Sequence, residues 1–145
     1  ATSKIFAWLA VKDNLGEFLI AGLLWVTDEL WVLLLMINAL LLILGMIMEI
    51  LPIMLILAPI LFPLLTGLGV DEVHFGVVMV LNLMIGMITP PIGLNLFIIS
   101  SIGGVGVIDI FKQAVPYFLI LVVVLLITTF IPSLTLFLPE LVFRD

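Results

Sequence analysis

The sequence predicts an all-α membrane protein, and three observations carry that reading. Of the 145 residues, 66% are apolar and 10% charged, where soluble domains hold about 45–50% and ~25%; the mean hydropathy is +1.57. The apolar stretches are unbroken runs of Leu, Ile, Val and Met, unlike the alternating pattern of an outer-membrane barrel. A helix crosses the ~30 Å hydrocarbon core in about 20 residues, so the chain has room for at most about five crossings. A water-soluble fold is excluded, and the lipid bilayer is the first partner. The net charge of -6, from 4 basic and 10 acidic residues, offers no basic patch, so nucleic acid is not a partner. No cysteine is present, which removes disulfides, thiolate metal sites and thiol nucleophiles together.

Taken in order, residues 1–12 read as the end of a preceding helix. They show no initiator Met and no small-residue cleavage site, and carry one short apolar stretch, Ile5 to Val11. Residues 13–29 read as an amphipathic helix lying in the headgroup region. Leu15, Phe18, Leu19, Gly22 and Trp25 fall along one face at helical spacing, and Trp25 and Trp31 suit the interface. A soluble connector is the other reading of the same residues.

Residues 30–66 read as a helical hairpin. Leu30 to Met48 has Asn38 as its only strongly polar side chain; Glu49 follows, and Ile50 to Val70 adds a second uncharged arm with Pro52, Pro59 and Pro63. Two full spans joined by a tight turn fit this pattern, and so does a re-entrant hairpin that dips in and returns. Glu49 and Pro52 mark the tip. In the first arrangement Glu49 is solvated at the far surface; in the second it sits at depth, where a carboxylate is expensive and usually functional.

Residues 73–105 read as a broken transmembrane helix. The 36 residues from Val73 to Ile108 carry no formal charge, and a straight helix of that length would run about 54 Å. Something must break it, and GMITPPIG, residues 86–93, supplies the breakers. Pro90 and Pro91 push the residues before them out of the helical region and leave carbonyls without amide partners. Unwound backbone at membrane depth is tolerated only where it lines an enclosed or water-filled cavity. The stretch IGGVGV, residues 102–107, followed by Asp109 and Lys112, reads as a surface loop. Residues 113–138 are the final span, with Pro116 in its first turn and Pro132 kinking or ending it. The tail, Pro139 to Asp145, falls outside.

Enzyme chemistry finds little support. His74 is the only histidine, so multi-histidine metal sites are excluded, and a hydrolase would need Ser100 or Ser101 to reach it from the far end of a broken helix. His74 is most simply an interfacial residue at a helix start. A membrane aspartyl protease needs two carboxylates at depth, while Asp71 and Asp109 fall in surface loops. Transport fits the same residues better. Broken helices present free carbonyls, which suit Na⁺, at one end and free amides, which suit an anion, at the other. The pre-proline carbonyls with the Thr89 hydroxyl form a hard oxygen cluster, and the amides from Ile92 to Asn95 open a new helix toward a carboxylate. Asn82 and Asn95, each one turn from the break, reach it with amide hydrogen bonds as candidate substrate-binding residues, or serve as helix-to-helix glue. A second oxygen cluster is expected at the turn from Gly45 to Pro52. Such a tip meeting a broken helix is the half-site of a transporter built from inverted repeats, whose other copy is absent from this chain.

The stretch HFGVVMVLNLMIGMITPPIGLNLFIISSIGGV, residues 74–105, closely resembles the last third of the large membrane subunit of tripartite ATP-independent periplasmic (TRAP) transporters. So do LLLMINALLLILGMIMEILPIMLILAPILFPLLTGLGVDEVHFG before it and VPYFLILVVVLLITTFIPSLTLFLPELV after it. The resemblance implies the second inverted repeat of an elevator-type, sodium-coupled secondary transporter in the bacterial inner membrane. Its substrate would be an organic acid anion: a dicarboxylate, a sialic acid or a related carboxylate. It implies three protein partners: a small membrane subunit, a periplasmic substrate-binding protein and the missing N-terminal repeat of the same subunit. It implies no cofactor beyond Na⁺ as coupling ion. Gly86, Thr89 and Ile92, with Gly45 and Met48 of the hairpin, would form a cation site, and Pro90, Pro91, Gly93 and Asn95 would line the substrate cavity. Two readings of other classes compete. A non-transporting scaffold predicts a sustained stripe of small residues, which Gly103, Gly104 and Gly106 do not supply. A channel predicts a continuous polar lining, which one Asn or Thr per turn does not supply.

Overall fold

The computed structural model describes residues 29–142, with Ala21, Gly22 and Trp25 ahead of them. The expected helix end at 1–12, and all but those three residues of the expected interfacial helix at 13–29, lie outside the described residues. Among the described residues there are six helices and no strand: α1 (Leu30–Ile47), α2 (Ile50–Gly67), α3 (Glu72–Gly86), α4 (Leu94–Gly103), α5 (Val107–Phe130) and α6 (Ser133–Val142). Of these, α1, α2 and α5 are long and apolar enough to cross a membrane.

The core follows four-residue steps along three helices. Leu33, Ile37 and Leu41 of α1, Ile53, Leu57, Leu61 and Leu65 of α2, and Phe75, Met79 and Leu83 of α3 form one buried cluster. Residues four apart lie above one another on a helix, so each row is a ridge that packs between ridges of its neighbour. Phe62 and Phe75 close the α2–α3 contact edge to face, with ring centroids 5.2 Å apart. A smaller cluster of Val78, Ile85 and Leu125 joins α3 to α5. Lipid tails are as apolar as leucine, so fitted packing and buried hydrogen bonds hold such helices together.

Local sequence explains the turns. At the end of α2, Val70 N donates to Leu65 O and Gly69 N to Thr66 O, with Gly69 at φ 87°: a Schellman ending whose left-handed position suits glycine. Asp71 then caps α3, its Oδ1 accepting from Val73 N at 2.8 Å and His74 N at 3.1 Å. Pro52 is the third residue of α2, where no intrahelical donor is lost.

The last third keeps the expected ending at Pro132 but differs at its start: the final span begins at Val107, not 113, so Pro116, expected in the first turn, lies inside it. Asp109 and Lys112, expected in a loop, lie in the first turns of α5. Gly106 is the N-cap, and an acid in the first turn is favoured by the helix dipole. At the other end Ile131 and Pro132 separate α5 from α6, because Pro132 has no amide to continue the ladder. Pro139 lies within α6.

Candidate functional site

The charge-free segment breaks between Met87 and Gly93, and the way it breaks builds the site. The helix ends by tightening: Ile88 N donates to Ile85 O at 3.2 Å and Thr89 N to Gly86 O at 2.9 Å. The buried Thr89 hydroxyl donates to Ile85 O at 2.7 Å, which leaves its own lone pairs open to a cation. Pro90 and Pro91 follow, joined by a cis peptide bond. Gly93 restarts the chain in the left-handed region at φ 51° as the N-cap of α4. A Cβ there would meet Thr89 O at 2.9 Å, so both backbone angle and space require glycine.

The turn between α1 and α2 faces this break directly. Gly93 N donates to Met46 O at 3.2 Å. Behind that bond the backbones of α1 and α3 touch. A Cβ on Gly86 would lie 2.7 Å from the Gly45 Cα and carbonyl carbon and 2.9 Å from Leu42 O; one on Gly45 would lie 3.0 Å from Leu83 O. The structure therefore gathers Gly45, Met46, Gly86, Thr89 and Gly93 into one junction. Met48 and Ile92 are within two residues of the Met46–Gly93 bond and are 44% and 39% exposed.

Of the four amides expected to face an anion, two are already taken up inside the fold, Gly93 N by Met46 O and Asn95 N by Met87 O at 3.2 Å. Ile92 and Leu94 are the two left. Pro90 and Asn95 are half-buried and Pro91 exposed beside them. Glu49 is exposed at the tip; it is the N-cap of α2, with no side-chain capping bond. Pro52 is half-buried one step further on.

Asn82 is placed elsewhere. It is 0% exposed, and its Nδ2 donates to Asn38 O at 2.9 Å and to Asn38 Oδ1 at 2.7 Å. The network continues through Thr129 and Thr135, for which the sequence suggested no part. Asn38 Nδ2 donates to Thr129 Oγ1 at 3.0 Å, and the Thr129 hydroxyl donates to Leu125 O at 2.7 Å. Thr129 O also accepts from His74 Nε2 at 3.2 Å, while His74 Nδ1 and the Thr135 hydroxyl share a bond of 2.7 Å. A carbonyl only accepts, so Nε2 carries a hydrogen. His74, in the first turn of α3, is 2% exposed. The available signal was spacing: His74, Val78, Asn82 and Gly86 step by four along one face of α3.

Known proteins carry similar sequences. The family described as "Tripartite ATP-independent periplasmic transporter, DctM component" matches residues 1–134. The chain is 42% identical over 143 residues to the C4-dicarboxylate TRAP transporter large permease protein DctM of Pseudomonas aeruginosa, covering 97% of this chain and 33% of that one. It is 40% identical over 137 residues to the sialic acid TRAP transporter large permease protein SiaM of Vibrio cholerae, covering 94% and 32%. To the isethionate TRAP transporter permease protein DctMQ of Oleidesulfovibrio alaskensis it is 41% identical over 135 residues, covering 93% and 21%. The chain thus spans about a third or less of the length of these relatives. On the match across residues 1–134 and these identities, the chain belongs to the DctM component family of tripartite ATP-independent periplasmic transporters.

Proposed function

We propose that this chain is the second repeat of the large membrane subunit of a sodium-coupled transporter that imports an organic acid anion across a bacterial inner membrane. The observation that carries this reading is the junction itself: an unwound segment at 87–93 held against the α1–α2 turn by Gly93 N to Met46 O at 3.2 Å. Irregular backbone of this kind, between apolar helices, suits an ion and anion site. The cation site takes its oxygens from the Thr89 hydroxyl and the backbone of Gly45, Met48, Gly86 and Ile92. The anion faces Pro90, Pro91, Gly93 and Asn95, with the amides of Ile92 and Leu94 nearest to hand. The names of the relatives, C4-dicarboxylate, sialic acid and isethionate, all describe acid anions and support that substrate class. A periplasmic binding protein delivers the anion, a small membrane subunit completes the carrier, and an upstream repeat supplies the other half of the site. The repeat moves as an elevator, with α1 and α2 as its re-entrant hairpin.

Transport is tested with the complete subunit and its partners in proteoliposomes. Uptake is expected to require a sodium gradient and to stop when potassium replaces sodium; equal uptake in both ions would contradict the reading. Topology makes a second prediction. The bond between His74 and Thr129 joins the first turn of α3 to the last turn of α5, and Lys112 is 17 residues before Thr129, about 26 Å along the helix. Cysteines placed at Asp71 and Lys112 should therefore react with impermeant reagents from opposite sides. Labelling of both from one side would contradict the re-entrant arrangement.

A further inference from the structure

We propose that Asn38 and Asn82 are positioning residues of the transport site: they set the register of α1 on α3, and so hold the α1–α2 turn against the helix break. The inference rests on the transport reading above. One nitrogen, Asn82 Nδ2, bonds two atoms of the same partner, Asn38 O and Asn38 Oδ1, at 2.9 and 2.7 Å. Two directional bonds to one residue fix both the height and the rotation of α1 against α3, as a lone buried asparagine fixes register in a coiled coil. Thr129 of α5 holds the Asn38 amide from the other side at 3.0 Å.

Stability does not explain the pair. Asn82 is 0% exposed, and its Oδ1 has no hydrogen-bond partner among the described residues. A buried acceptor left unpaired is a net cost, and an apolar side chain of similar volume would pack the helices without it. What the pair adds is direction. Asn82 lies one helical turn before Gly86, and Asn38 two turns before Gly45, on the same crossing. A slip of α1 by a single residue, about 1.5 Å, would carry Gly45 off Gly86 and break the Gly93 N to Met46 O bond of 3.2 Å.

Asn82→Leu in the complete subunit, assembled with its partners, tests this through two readouts. The sodium concentration for half-maximal uptake should rise at least about tenfold, with folded protein retained in the membrane, and backbone hydrogen exchange across residues 87–96 should quicken by a similar factor. The double variant Asn38→Leu/Asn82→Leu should match the single one, since register is lost only once. If Asn82→Leu does not fold, Asn38→Ala, which keeps the bond to Asn38 O, should shift both readouts the same way by less. A lowered melting temperature with unchanged half-saturation and unchanged exchange at 87–96 would make the pair packing residues and overturn the proposal. A wild-type protein that transports without sodium would overturn the coupling alone, and the exchange result would then decide the positioning role.

Discussion

Gly86→Ala is expected to lower uptake by the complete subunit about ten to a hundredfold. The added methyl would meet Gly45 Cα and its carbonyl carbon at 2.7 Å and Leu42 O at 2.9 Å. All three are backbone atoms, so no side chain can rotate away and α1 must move off α3. Overpacking costs about 1–3 kcal/mol, which corresponds to roughly five to a hundredfold in an equilibrium, and here the displaced element carries Met46. The same geometry ranks three variants. Gly45→Ala, whose nearest neighbour is Leu83 O at 3.0 Å, should be milder. Gly76→Ala, which meets only the ring end of Phe62 at 3.7 Å, should transport almost as the parent does. Initial uptake rates at equal protein check the order, and Gly86→Ala as active as Gly76→Ala would mean that the crossing is not tight.

Thr89→Val should raise the sodium concentration for half-maximal uptake by about ten to a hundredfold, with Thr89→Ser near the parent. Valine keeps the shape and deletes one oxygen; serine keeps the oxygen and loses a methyl. Thr89 is 8% exposed, so a lost ligand is not replaced cheaply by water. One hydrogen-bond-grade interaction in a buried site is worth about 1–3 kcal/mol, and ~1.4 kcal/mol is tenfold in affinity. Coupling between two ligands is reciprocal, so substrate binding at fixed sodium should weaken in step. Uptake titrated with sodium decides the matter. An unchanged sodium dependence in Thr89→Val would leave the hydroxyl with only its bond to Ile85 O.

The sequence made some of this architecture legible and hid the rest for a physical reason. The break at 86–93 was readable because a charge-free helix of that length cannot fit a bilayer and two adjacent prolines cannot stay helical. Properties of a single helix are written in its own residues, as in the i, i+4 ridges of α1, α2 and α3. The relations between helices are not. Asn38 stood out as polar, yet nothing local says that its partners are Asn82 and Thr129, 44 and 91 residues away. His74 is legible as a residue at a helix start, but only α6 folding back brings Thr135 to it. Gly45 and Gly86 both belong to the cation site that the family resemblance implies; that they face each other in a tight crossing is a distance, which one sequence does not contain. The loop expected at Asp109 and Lys112 misread a charged first turn as a break.

The central claim is that sodium binds where the α1–α2 turn meets the α3–α4 break. Met48 and Ile92 flank that junction and are 44% and 39% exposed, so Met48→Cys and Ile92→Cys in a cysteine-free complete subunit report on it directly. Thiol-labelling rates at both positions are measured in sodium and in potassium at equal ionic strength. Sodium is expected to slow labelling at both at least about tenfold, with a cysteine at the exposed Lys112 unaffected. Equal rates in the two ions at both positions would contradict the claim.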